Sequence, residues 1–116
     1  MERKWTMIGI VALAIGVVLG LVFHPNVPDA VAPYLPIAVV AALDALFGGA
    51  RAYLDQIFDS KVFVVSFVFN VLVAALIVFV GDQLGVGTQL STAIIVVLGI
   101  RIFGNAAALR RRLFGA

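Results

Sequence analysis

No cysteine occurs in the 116 residues, and His24 is the only histidine. The first absence excludes a disulfide framework and any thiolate metal or redox centre. The second leaves too few ligands for a transition-metal site, so neither a metal nor a cofactor is expected. Charge is scarce as well: 12% of residues are charged, against roughly 25% in a soluble domain. With 64% hydrophobic residues and a mean hydropathy of +1.20, the chain lacks the polar surface to cover a water-soluble core. Its solvent is therefore lipid. The length allows one domain. A pI near 9.5 raises nucleic-acid binding, but the basic residues are few and form no cluster on a soluble module. Membrane topology accounts for positive charge more simply, and no nucleic-acid partner is expected.

Glu2-Arg3-Lys4 before an apolar run, with Ala30-Val31-Ala32 further on, has the outline of a signal peptide. The apolar stretch Trp5–Phe23 is nineteen residues long, beyond the roughly 7–15-residue core of such a peptide. Pro33 follows the would-be cleavage site, where signal peptidases disfavour it. The stretch reads as an uncleaved span, with Trp5 in the aromatic belt and His24 at its outer end as an interface residue and not a ligand.

A helix crossing the ~30 Å hydrocarbon core needs about 20 apolar residues. Four segments qualify: 5–23, 34–52, 62–80 and 90–109. The last reads as the weakest, because it contains Arg101 and Asn105. No ten-residue alternation marks barrel strands, so the expected fold is an all-α, four-helix membrane domain over residues 1–116. All four prolines fall between spans one and two, where Pro36 suits a first helical turn. "GDQLGVGTQLST" reads as the turn between spans three and four. "RAYLDQIFDSK", residues 51–61, places Tyr53, Leu54, Ile57 and Phe58 at helical spacing and is expected to form a short amphipathic helix at the interface. Arg3, Lys4, Arg51, Lys61 and the triplet Arg110, Arg111 and Arg112 lie on one side of this arrangement; the opposite loops carry only Asp29 and Asp82. The positive-inside rule then puts both termini in the cytoplasm.

The eighth cation, Arg101, lies within a span, as does Asp44. A charge at mid-helix costs roughly 2.5–3.5 kcal/mol on insertion scales, so such groups face protein or water and find partners. Asp44, Gly48 and Arg51 share one helical face; Arg101, Asn105, Ala108 and Arg112 share another. Offsetting the chain by 56 residues superposes "FGGARA" (47–52) on "FGNAAA" (103–108) and brings Asp44 almost level with Arg101. Two repeated hairpins would make spans two and four parallel. The expected structural centre is an Asp44–Arg101 ion pair, with Asn70 and Asn105 completing its hydrogen bonds. Fixing helix register is its first expected role, an ion or proton path its second. Ala12, Gly16 and Gly20 form a small-residue ridge that permits close helix approach, expected mainly within the chain and secondarily in a homo-oligomer. Gly48 and Gly49 read as clearance for a neighbouring helix.

"IAVVAALDALFGGARAYL", "VFVVSFVFNVLVAALIVFVGDQLGV" and "GIRIFGNAAALRRRL" resemble the small basic protein family of bacterial inner-membrane proteins, found mainly in Gram-positive lineages and often encoded near cell-division genes. The likeness covers nearly the whole chain after Leu13. Its specific parts, L-D-x-L-x-G-G-x-R and R-I-F-x-N, mark Asp44, Gly48, Gly49, Arg51, Asn70, Arg101 and Asn105. The resemblance implies a multi-pass protein of the bacterial cytoplasmic membrane, associated with division or the envelope, and no particular mechanism. Some relatives extend well past the position of Leu113; a recruiting role for that basic tail is not carried over.

Two function classes compete. A non-catalytic scaffold would hold other membrane proteins through its helices and present Arg51, Tyr53, Phe58, Lys61 and Arg110–Arg112 to cytoplasmic proteins or anionic lipids. A small channel or transporter would use Asp44, Arg101 and Asn105. Four-helix exporters and fluoride channels commonly insert as antiparallel dimers, which requires balanced cations on the two sides; seven against none disfavours this. Neither the essential carboxylate in span one nor a Thr/Ser/Phe filter run in span three is present. An enzyme is not expected, because intramembrane hydrolysis wants a Ser/His, paired-Asp or metal constellation.

Overall fold

The computed structural model describes residues 2–23, 26 and 28–116, with side chains described from Ile8 onward. His24 and Pro25, and the side chains of Arg3, Lys4 and Trp5, lie outside the described residues. Four helices make up the fold: α1 (Glu2–Phe23), α2 (Leu35–Leu54), α3 (Ser60–Gln83) and α4 (Gly87–Phe114), with a 3₁₀ turn at Ala32–Tyr34 leading into α2. Among the described residues there is no strand. At ~1.5 Å per residue, the helices run from about 30 to about 42 Å, and the molecule measures 45 × 28 × 26 Å. Three helical segments (Ala32–Leu54, Ser60–Gln83 and Gly87–Phe114) are long and apolar enough to cross a membrane, and Ile8–Phe23 is a shorter apolar helix. The second and fourth spans, which carry Asp44 and Arg101, are both less apolar than the third.

The helix ends explain how the chain turns so tightly. Pro36 stands in the first turn of α2, where a missing N–H costs nothing. At the other end of α2, Gln56 adopts a left-handed conformation (φ 61). Its N–H bonds to the Tyr53 carbonyl at 3.1 Å, and the Ile57 N–H reaches back to Ala52 at 2.9 Å, the two bonds of a Schellman stop. Asp59 then caps α3, its Oδ1 accepting from the N–H groups of Lys61 (2.9 Å) and Val62 (3.2 Å). The amphipathic helix expected over 51–61 therefore does not form. Residues 51–54 belong to α2, 55–59 are non-helical, and 60–61 open α3. Side-chain periodicity suggested one helix; the stop at Gln56 and the cap at Asp59 prevent it.

The α3–α4 connection repeats the device with the expected residue. Gly85 takes φ 79, its N–H bonds to Asp82, and the Val86 N–H bonds to Gly81 at 2.8 Å. "GDQLGVGTQLST" is mostly helix; only Leu84–Val86 turn.

α2 is the hub, packing most extensively on α4, then on α3 and α1. The buried apolar cluster is small and sits toward the α3–α4 turn. Ile37, Ala74 and Val78 are joined by the half-buried Tyr34 and Ile94. Elsewhere the large apolar side chains of α1, α3 and α4 point outward, as expected where lipid and not water surrounds the helices and association relies on close packing and polar contacts.

Candidate functional site: a polar seam between α2 and α4

The face of α2 carrying Asp44, Gly48 and Arg51 lies against the face of α4 carrying Arg101, Asn105 and Arg112. Arg101 Nη2 stands 3.2 Å from Asp44 Oδ2. Arg51 Nη1 donates to Asn105 Oδ1 at 3.1 Å. Arg112 Nη1 donates to Asp55 Oδ1 at 2.8 Å, and its Nη2 to the Leu54 carbonyl at 2.6 Å. The outer two of these contacts join residues 57 apart (44 with 101, 55 with 112), so α2 and α4 run parallel and in register. That spacing is one residue from the 56-residue offset seen in the sequence. A Cβ on Gly9 of α1 would lie 3.8 Å from the Phe63 ring of α3, 54 residues on, so the other two helices keep a similar register.

The charge pair is asymmetric. Asp44 is 5% exposed, whereas the Arg101 side chain is 54% exposed. Only one carboxylate oxygen is engaged: Asp44 Oδ1 has no hydrogen-bond partner among the described residues. Asn105 and Asn70 do not complete the pair as the sequence suggested. Asn105 is one helical turn beyond Arg101 and is taken by Arg51. Asn70 lies on an exposed face of α3 with no hydrogen bond among the described residues. Arg51 is drawn inward to Asn105 and sideways to Asp55 (4.0 Å), so it joins the seam as well as marking the end of the span.

The two glycines of α2 serve different neighbours. A Cβ on Gly48 would lie 3.5 Å from Asn105 Nδ2 of α4; one on Gly49 would lie 2.8 Å from Phe63 Cε1 of α3. Small residues at both positions let α2 approach two helices at once. The ridge on α1 does not behave this way. Ala12 is exposed, and Gly16 and Gly20 have open space around them. The within-chain packing expected of this ridge is absent, because α1 turns Leu13, Ala14 and Val17, all half-buried, toward the bundle and leaves the small residues on its open side.

Beside the seam, between α2 and α3, lies a cavity of about 200 Å³. Its wall includes Asp44, Gly48, Ser66, Asn70 and Arg101, and Phe58 and Phe63 close it toward the α2–α3 turn. These two rings are 5.4 Å apart and tilted by 43°. Phe58 is thus half-buried against Phe63, while Tyr53, Lys61 and Arg110–Arg112 remain exposed at the same end of the bundle. Sequence reasoning missed the Asp55–Arg112 bridge and the Phe58–Phe63 pair. The 57-residue offset, applied to Asp55, would have found the first. Among the described residues no group of three or more His, Cys, Asp or Glu side chains is placed to hold a metal ion.

Comparison with known proteins agrees with the likeness noted in the sequence. The family model described as "Protein of unknown function (DUF1290)" matches residues 27–114. The chain is 86% identical to uncharacterized proteins of Mycobacterium tuberculosis and Mycobacterium bovis, over 99% of its own length and 98% of theirs. It is 41% identical to the small basic protein of Bacillus subtilis, over 90% of this chain and 84% of that one. No solved structure matches. With the family model covering most of the chain and the Bacillus relative aligned along nearly all of it, the chain belongs to the small basic protein family, DUF1290.

Proposed function

We propose that this protein is a non-catalytic scaffold of the bacterial cytoplasmic membrane, crossing it four times with both termini inside. It would serve cell division or envelope organisation by holding partner membrane proteins. The observation that carries this reading is the use of polar groups along the seam. Asp44 is spent on Arg101, Asn105 on Arg51, and Asp55 on Arg112. These contacts bind α2 to α4 through three arginines, two aspartates and one asparagine, a cross-linked seam suited to a rigid platform. Lys61, Arg110 and Arg111, exposed cations outside the seam, gather at one end with Tyr53. That end suits contact with cytoplasmic proteins or anionic headgroups, each basic residue near such a surface adding about 1 kcal/mol.

A second reading, a small ion or proton channel, is favoured by one observation: the cavity of about 200 Å³ reaches both Asp44 and Arg101, and one Asp44 oxygen is unpaired. A charge series in the host separates the two. Asp44→Asn, Arg101→Gln and the reciprocal swap are scored for protein level and for growth or septum phenotype. The scaffold reading expects the swap to recover both level and phenotype. Stable but inactive variants, with ion flux in proteoliposomes that Asp44→Asn abolishes, would establish the channel in its place. Because the chain has no cysteine, single cysteines at Asp55 and Asp82 report topology through an impermeant maleimide. Labelling of Asp55→Cys from outside intact cells would overturn the proposed orientation.

A further inference from the structure

α3 is the most apolar of the three membrane-length helices, yet two polar side chains, Ser66 and Asn70, are exposed on it one turn apart. Asn70 is the eleventh of its 24 residues, near the middle of any membrane that α3 crosses. An amide there meets hydrocarbon unless another protein group bonds it. No partner is present among the described residues, and the helices that could supply one are already placed: α4 directs Arg101 and Asn105 to α2. Flanking Asn70 on the same face are Val73 and Ile77, both exposed, while Ser66 and Asn70 themselves form the α3 wall of the open α2–α3 cavity.

We infer that this face is where a second copy of the chain binds, α3 against α3, with the two Asn70 amides hydrogen-bonded to each other across a two-fold axis. An asparagine amide is both donor and acceptor, so its best complement is another amide at the same depth. Two copies inserted with the same orientation are related by an axis along the membrane normal, which places Asn70 opposite Asn70 automatically; an isologous interface needs no further matching. Ser66 lies one turn away to add a hydroxyl to the seam. The recess between α2 and α3 gives the mate's side chains room to interdigitate. Interhelical amide bonds of this kind hold transmembrane helices together where apolar burial contributes little. The inference uses the membrane orientation proposed above and is independent of the scaffold role.

The test uses two differently tagged full-length copies, co-expressed and crosslinked in native membranes, with the cysteine-free chain as background. Val73→Cys on both copies gives a mixed-tag dimer with a bismaleimide, and Ser66→Cys does the same. Ile100→Cys, on the exposed flank of α4, gives little. Adding Asn70→Leu to Val73→Cys lowers the dimer-to-monomer ratio by about tenfold or more, whereas Asn70→Gln keeps it within about threefold. Equal crosslinking of Asn70→Leu and the parent overturns the inference, as does equal crosslinking through Ile100→Cys or adducts to other proteins alone. Alkaline extraction is run alongside. Release of the parent by alkali shows that the membrane reading has failed, separately from the loss of a dimer in a variant that stays inserted.

Discussion

Removing one member of the Asp44–Arg101 pair is the sharpest perturbation available, and the two removals should not cost the same. At 3.2 Å and an effective dielectric of about 20, the direct attraction is about 5 kcal/mol; the desolvation of Asp44, which is 5% exposed, opposes it. Breaking buried pairs costs about 3–5 kcal/mol, and a lone charge at mid-span about 2.5–3.5 kcal/mol. The two scales agree on about 3 kcal/mol. Asp44→Asn leaves a guanidinium that cannot lose its proton and lies 11 residues from Arg112, or about 16 Å along the helix, too far to snorkel easily. Its expected cost is the full 3–4 kcal/mol or so. Arg101→Gln leaves a carboxylate that can take up a proton and become neutral, limiting the loss to about 2 kcal/mol. The double variant Asp44→Asn with Arg101→Gln recovers most of the stability, because a neutral hydrogen-bonding pair replaces the charged one. The assay is reversible unfolding in mixed detergent micelles, read as a double-mutant cycle. A coupling energy below about 0.5 kcal/mol, or Arg101→Gln less stable than Asp44→Asn, would refute the argument.

Gly49→Leu drives a side chain into the Phe63 ring, which a Cβ already meets at 2.8 Å; an overpacking loss of about 1–3 kcal/mol is expected in the same unfolding assay, and Gly49→Ala should lose less. By contrast, Gly16→Leu and Gly20→Leu face open space and should leave monomer stability within about 0.5 kcal/mol. Asp59→Ala removes the cap of α3 and should cost about 1 kcal/mol, seen as faster hydrogen exchange at Lys61 and Val62 before any global change. Asp55→Ala breaks the bridge to Arg112, but both side chains are about half exposed. Its expected cost in stability is below about 1 kcal/mol and shrinks with salt.

Much of this architecture is legible in one dimension because lipid imposes a simple rule. Backbone groups in hydrocarbon must bond within their own segment, so each long apolar run can only be a helix, and Leu35–Leu54, Ser60–Gln83 and Gly87–Phe114 follow directly. The scarcity of intramembrane charge likewise made Asp44 and Arg101 each other's only candidates. Their pairing depends on a residue count that parallel helices preserve.

Three-dimensional packing decided the rest. Whether Asn105 served Asp44 or Arg51 depended on which donor lay within reach once α2 and α4 were in register, and a one-turn difference chose Arg51. The absence of a helix over 51–61 depended on a left-handed Gln56 and the Asp59 cap, two backbone events that side-chain periodicity does not record. Small-residue spacing on α1 matched that of a packed ridge, yet the ridge stands open, because spacing says which face can approach another helix and not whether one is there. Composition and period determined that this chain is a bundle of apolar helices with one mid-span charge pair. Only the tertiary structure decided which polar groups were satisfied within it and which, like Asn70, were left facing outward, since satisfaction is a matter of distances between helices.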